Sequence, residues 1–366
     1  MLVVAVAVCA CGDDAASQEG EGPDDSGSSP DDAATSPDDG GTESDAAAEP
    51  DGGDAGEPPM GPEVEELIAP ELMPVSERAV YTDDGRFFVA GGEVLYEVVA
   101  DGDGFEAIEL LREDCTLGGL IDHGNLLYAA CVTAAASDNP FVPSLTSVEL
   151  LQIDPGGDGE PDVQRVDFGA DPLPQLNGME FGPDDALYVS NSTSSLLGGS
   201  AVFRVEITSE DPFSIEVSEL VAQSDDYAAP NGLRVDDDEL YFATGLTLAR
   251  MLIDDDGTPG APETLLTVGE NPLTDGVVDD LDLGPDRIYI ARVAGPDVLA
   301  LQASEEDHEY ASQLVITDRD GTEIQALTLD FIPSGAVAPR AEPFGDDAIV
   351  VTSYFNGGLY RITGTE

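Results

Sequence analysis

Apolar residues in this chain come in short runs of Val, Ile, Leu, Tyr and Phe, each stopped by Gly, Pro, Asn or Asp. Such runs predict strands, and no stretch keeps a helical apolar period over a useful length. The clearest stretch is Pro230–Asp256, PNGLRVDDDELYFATGLTLARMLIDDD. It opens on Asn-Gly, runs through Leu233–Val235, turns on three aspartates and returns through Leu240–Ala243. A third strand, Ala249–Ile253, follows a small loop. The same arrangement recurs in Ser76–Ala90, Leu176–Ser190 and Asp279–Ala291, more weakly in Gly118–Ala130 and in degenerate form in Pro339–Thr352. Six copies at roughly 40 to 60 residue spacing predict a repeat architecture with one blade per copy.

The expected fold is therefore all-β: a six-bladed β-propeller over 63–366, with no helical layer. Glu65–Leu72 has no blade of its own, so it is expected to complete the last blade beside Gly357–Thr363 and hide the sheet edges there. If each first strand starts at the top of the channel, the loops after second strands return to the top. These are Thr133–Ser147, Asn191–Ser200, Thr244–Leu248, Arg292–Asp297 and Ser353–Gly358. The first is the longest, and Phe141 between two prolines makes it either a lid or an ordinary insertion. Arg292 and Tyr354 are candidates to meet a substrate oxygen, or else solvated rim residues.

The copies can be registered on the aromatic of the second strand, Phe88, Tyr128, Tyr188, Tyr241 and Tyr289. About ten residues earlier stand Glu77, Gly118, Asn177, Asn231 and Asp279, at the start of each first strand. First strands line the channel, so these positions fall on one ring. Glu, Asn, Asn and Asp together are an all-oxygen set of the kind calcium prefers over softer metals. Asn-Gly and Asp-Asp also make turns, but Glu77 is a poor turn former.

On this repeat form and these ring residues, 63–366 resembles the six-bladed propellers of senescence marker protein (regucalcin) and gluconolactonases and, more distantly, paraoxonases. The resemblance implies a catalytic calcium held by Glu77 (Ser-Glu-Arg-Ala-Val), Asn177 (Leu-Asn-Gly-Met), Asn231 (Pro-Asn-Gly-Leu) and Asp279 (Asp-Asp-Leu). Asp280 would match a second fifth-blade ligand of the paraoxonase-like branch, and Asp275 of Thr-Asp-Gly-Val competes with Asp279, which the strand register favours.

Charge changes the picture of partners. Twelve basic residues, all arginine, face 77 acidic ones, for a net charge of −65. That excludes a nucleic-acid footprint and makes an anionic membrane surface repulsive. A high-salt setting would screen such self-repulsion, and a GC-rich genome would equally disfavour lysine. Met1–Ala10 is apolar but too short to span a bilayer. With Val8-Cys9-Ala10-Cys11 it resembles a signal segment ending in a lipobox (1–11), Cys11 being the residue lipidated. Residues 12–62 are acidic, without basic or aromatic residues, and read as an extended disordered tether. The expectation is an exported monomer, anchored to a membrane through lipid alone.

Both histidines are expected at the bottom: His123 in the blade-two hairpin, His308 between the third and fourth strands of blade five. A histidine base would then be missing near the ring, leaving Asp279 to activate water towards a carbonyl that the calcium polarises. Cys115 and Cys131 flank the blade-two hairpin at similar distances from its turn. They form either a disulfide or two buried thiols. Two functions remain: a calcium-dependent lactone or ester hydrolase acting on a small molecule at the channel mouth, or a non-catalytic propeller with a structural calcium that binds a ligand or protein.

Overall fold

The computed structural model describes residues 61–366 apart from 103, 136–143, 158–159, 193–198, 225–226, 228, 270–274, 298–299, 301–307, 338–342, 346–347 and 366. The lipobox with Cys11, the acidic tether up to residue 60 and Phe141 of the expected lid lie outside the described residues.

The described chain is a six-bladed propeller in which every blade is a four-stranded antiparallel sheet. Blade one is β2 (Arg78–Tyr81), β3 (Phe87–Gly91), β4 (Val94–Asp101) and β5 (Gly104–Arg112). Blade two is β6 (Thr116–His123), β7 (Leu126–Ala135), β8 (Ser144–Asp154) and β9 (Asp162–Asp167). Blade three is β10 (Leu176–Phe181), β11 (Leu187–Asn191), β12 (Ser200–Glu210) and β13 (Phe213–Ala222). Blade four is β14 (Pro230–Asp236), β15 (Glu239–Thr244), β16 (Thr247–Leu252) and β17 (Glu263–Thr267). Blade five is β18 (Val277–Leu283), β19 (Arg287–Val293), β20 (Gln313–Asp318) and β21 (Glu323–Thr328). Blade six is β22 (Gly335–Val337), β23 (Ile349–Thr352) and β24 (Leu359–Thr363), closed by β1 (Glu63–Ile68) from the start of the domain.

β1 runs antiparallel to β24, from Glu63 opposite Thr363 to Ile68 opposite Leu359, so the outer edge of blade six is covered as expected. The sixth copy sits earlier than the sequence suggests. Its first strand is β22, which starts at Gly335 and pairs with β23. Only three residues long, β22 carries too little pattern to show against the Pro/Gly-rich stretch after it.

Burial grades outward across each blade. The inner strand β6 is buried over Leu117–Ile121, and β18 over Val277–Leu281. The outer strands β5, β9 and β21 alternate between exposed and half-buried positions. This is why inner strands read as continuous apolar runs and outer ones as alternations. The repeated aromatic has a distinct task, because it packs on the neighbouring blade. Phe88 of blade one joins the core of blade two, Tyr188 that of blade four, Tyr241 that of blade five and Tyr289 that of blade six. The tyrosine hydroxyls point to the hairpins, where Tyr188 donates to Asp184 (2.9 Å) and Tyr241 to Glu239 (2.6 Å). One side chain thus fills an apolar seam and satisfies its polar end.

Cys115 and Cys131 are disulfide-bonded, with Cα atoms 5.5 Å apart. Leu117 lies opposite Cys131 across the hairpin, which brings Cys115 to the open end.

Candidate functional site

The six inner strands adjoin one another in order, β2 to β6, β10, β14, β18 and β22, then back to β2, and enclose a channel. At its upper end Asn177 Nδ2 donates to Glu77 Oε1 (3.0 Å), and Asn231 Nδ2 donates to Asp279 Oδ1. Side chains from blades one, three, four and five therefore meet over a sequence span of some two hundred residues.

A repeated irregularity aims them. In β10, Leu176 is opposite Asn191 and Met179 opposite Val189, so three steps on one strand match two on the other. β14 does the same between Pro230 and Leu233, and β6 between Leu117 and Leu120. In β18, Val278 to Asp280 takes two steps against one, from Arg292 to Ala291. Each is a one-residue bulge, a device that breaks the in–out alternation and re-aims a side chain. The extra residues lie at Asn177-Gly178, Asn231-Gly232, Asp279 and Gly118-Gly119. Asn-Gly is therefore not a turn here.

The glycines after the asparagines answer to close approach. A Cβ on Gly178 would lie 2.2 Å from Asn231 O, and one on Gly232 2.1 Å from Asp280 Oδ1. Real Cβ atoms never come so near, so neighbouring blades close on the channel only where glycine stands. At Glu77 the register is offset as well, since its N–H donates to Ala90 O (2.9 Å) although Arg78 is the residue opposite Ala90, and the closure of the ring holds it further. Thr352 Oγ1 of blade six donates to Glu77 O (2.7 Å), and Ser334 Oγ to Ser76 O (2.9 Å).

The electrostatics follow from burial. Glu77 is 8% exposed and Asp279 4%. Loss of solvent pushes the Glu77 carboxyl up to about 7, and the Asn177 hydrogen bond only partly offsets this. Asp279 is raised well above the usual carboxylate range, first by burial and then by the charges of Glu77 and Asp280. Glu77 Oε2 is buried without a hydrogen-bond partner. The upper channel thus holds two mutually repelling carboxylates, one with an orphaned oxygen, beside two amides. Among the described residues no three His, Cys, Asp or Glu side chains converge as a metal-holding group; the set is two carboxylates with two amides.

No protein-family model matches the chain, and no curated protein does. Solved structures do share the fold. A provisionally named gluconolactonase aligns with a TM-score of 0.54 at 16% identity, over 83% of this chain and 93% of its own. A streptogramin B lyase aligns with a TM-score of 0.48 at 13% identity, over 83% and 98%. A PQQ-bound aldose sugar dehydrogenase from Streptomyces coelicolor aligns with a TM-score of 0.44 at 13% identity, over 84% and 99%. At such identities the likeness is one of fold. The chain has the propeller architecture of the gluconolactonase type.

The other sequence candidates divide. Asp280 points away from the upper ring and is ion-paired with Arg78 of blade one. Asp275 precedes β18, packs against Gly269 and lends its carbonyl to Arg292. The Arg292 guanidinium is otherwise occupied by Gln313 Oε1 (3.1 Å) and Val268 O (3.5 Å), so it ties Val268 to Asp275. Tyr354 lies edge-on to Phe355 in the upper loop of blade six.

His123 ends β6 at the lower hairpin, stacked on Phe181 with ring centroids 4.0 Å apart. His308 is a correction. It precedes β20, the third strand of blade five, and so belongs to an upper loop. The chain does not show where the third strand begins, because its start at Gln313 is fixed by pairing with β19. A histidine is therefore present on the upper face. Its Nε2 lies 2.8 Å from Asp297 Oδ1. The fully buried Asp297 also accepts from Ala311 N (2.9 Å) and Ser312 N (2.7 Å), pinning the loop ahead of β20. The bulges and the Asp297 anchor escape sequence reading, since one is a matter of pairing and the other of loop closure.

Proposed function

We propose that the upper channel binds a calcium ion and that the protein is a calcium-dependent hydrolase of small lactones or esters. The observation carrying this reading is the orphaned, buried Glu77 Oε2 in an all-oxygen set of two carboxylates and two amides. Burying two carboxylates together is costly, and a hard cation offsets both their repulsion and their lost solvation. Glu77, Asn177, Asn231 and Asp279 would hold the ion, the asparagines through their Oδ1 atoms. When bound, calcium supplies a Lewis acid that polarises a carbonyl oxygen. Asp279 would accept the proton of a water molecule, its own proton affinity lowered by the bound ion. Ser334, Thr352 and the bulged strands keep the set in place.

Calorimetric titration with calcium, joined to a screen of small lactones and esters, tests both parts. Wild type should bind calcium and turn over at least one substrate in a calcium-dependent way, and Asn231→Ala should weaken both. Absence of calcium binding would discard the site and the hydrolase together. Calcium binding without turnover of any substrate leaves a propeller with a structural ion.

A further inference from the structure

The lower end of the same channel holds a cavity of about 470 Å³. Its walls are the downstream halves of all six inner strands, from Arg78–Tyr81 of blade one to Val337 of blade six. It lies on the opposite side of the Arg78–Asp280 ion pair from Glu77 and Asp279, each of which precedes a member of that pair by one residue.

Two guanidinium groups and several carboxyl groups line it. Arg78 is 2% exposed; it donates from Nη1 to Asp280 and from Nη2 to Leu233 O (3.4 Å), while its Nε is buried with no partner. Arg234, 7% exposed, donates from Nε to Asp282 and from Nη1 to Leu233 O (2.6 Å). Glu180 stands 3.9 Å from Arg234 Nε, outside hydrogen-bond range. Asp122 lies further along the wall, and the exposed Asp83 stands at the rim. Between the polar groups are apolar side chains such as Leu120 and Leu283.

The lining selects among ligand classes. An anion would meet more carboxyl groups than guanidinium groups. A metal ion finds no convergent set of three acidic, His or Cys ligands among the described residues, and it would face two buried guanidinium charges. An organic cation would face the same two charges. A hydroxyl group both donates and accepts, so neighbouring hydroxyls fit donors and acceptors standing side by side. Burial pushes Glu180 up to about 8 and also raises Asp122, so the wall carries less negative charge near neutral pH than its composition suggests. The volume lies in the range that encloses a small molecule.

We propose that this lower cavity is a second binding site, for a small uncharged polyhydroxylated molecule such as a sugar or polyol. Arg78, Arg234, Glu180 and Asp282 would make its polar contacts.

Titration calorimetry with D-glucose, xylitol and myo-inositol on the calcium-loaded protein tests the site. Saturable binding of at least one probe is expected. Asp83→Trp, which covers the rim without touching the core, should weaken it at least about tenfold while the melting temperature is retained. Glu180→Gln should weaken it as well, and exchange of calcium for chelator should leave it unchanged. Lack of saturation by any probe up to about 100 mM would overturn the proposal. So would binding that survives Asp83→Trp, or binding lost when calcium is removed by chelator, which would move the ligand to the upper site.

Discussion

Glu77→Gln should act in opposite directions depending on calcium, and the size of the effect follows from burial. Without calcium, Glu77 must ionise in a nearly dry setting against Asp279, with one oxygen unpartnered. Its carboxyl is raised from 4.5 to about 7 in the folded protein. A carboxyl that holds its proton more tightly when folded favours the folded state below about pH 4.5, and that advantage is lost as pH rises to about 7. At 1.36 kcal/mol per pH unit, ionised Glu77 costs about 3 kcal/mol at pH 8. The uncharged isostere removes this cost, so calcium-free Glu77→Gln should melt about 5 °C above wild type at pH 8 for a domain near 300 residues. Near pH 5 the two should nearly coincide. The difference between variants cancels the many other carboxylates that titrate over the same range. Calcium should reverse the order: at about a hundredfold excess over its Kd it adds about 2.7 kcal/mol to wild type, and little to a variant lacking a ligand carboxylate. Differential scanning calorimetry from pH 5 to 8, with chelator and with calcium, reads all of this. A wild-type minus variant difference that ignores pH in chelator would refute the buried, unpartnered carboxylate. A variant that calcium stabilises as much as wild type would refute its role as ligand.

Gly178→Ala would force a Cβ to 2.2 Å from Asn231 O, a backbone atom that cannot swing away, and should cost at least about 2 kcal/mol in urea unfolding. It should also weaken calcium binding through displacement of the blade-four strand. Asp297→Ala strips the N–H of Ala311 and the buried N–H and hydroxyl of Ser312 of their acceptor and should cost about 3 kcal/mol; equal stability in urea would contradict the anchor. Replacing Cys115 and Cys131 by serine frees a loop closed over a sequence separation of 16 and should lower stability by about 3 kcal/mol, measured as a lower urea midpoint with a slope no smaller than that of wild type.

The repeat was legible in the sequence because each blade needs the same local elements. Two inner runs, an Asp/Gly hairpin and an aromatic at a fixed position are demanded by strand pairing and by the seam to the next blade, and these are near-neighbour constraints. Glu77, Asn177, Asn231 and Asp279 could be aligned for the same reason, since equivalent positions in equivalent blades fall at one level of the channel. What required the tertiary structure is whatever depends on pairing register or on contacts between distant blades. The bulges at Asn177, Asn231 and Asp279 leave no mark in the apolar pattern, because Asn-Gly reads equally as a turn. Asp280 sits one residue from Asp279, yet a partner 202 residues away, Arg78, turns it to the lower side of the channel. His308 stands on the upper face and not the lower because the third strand of blade five begins after it, at Gln313, which only pairing with β19 shows. The lower cavity belongs to no segment of the chain: six strands enclose it, each contributing a few residues that look ordinary by themselves.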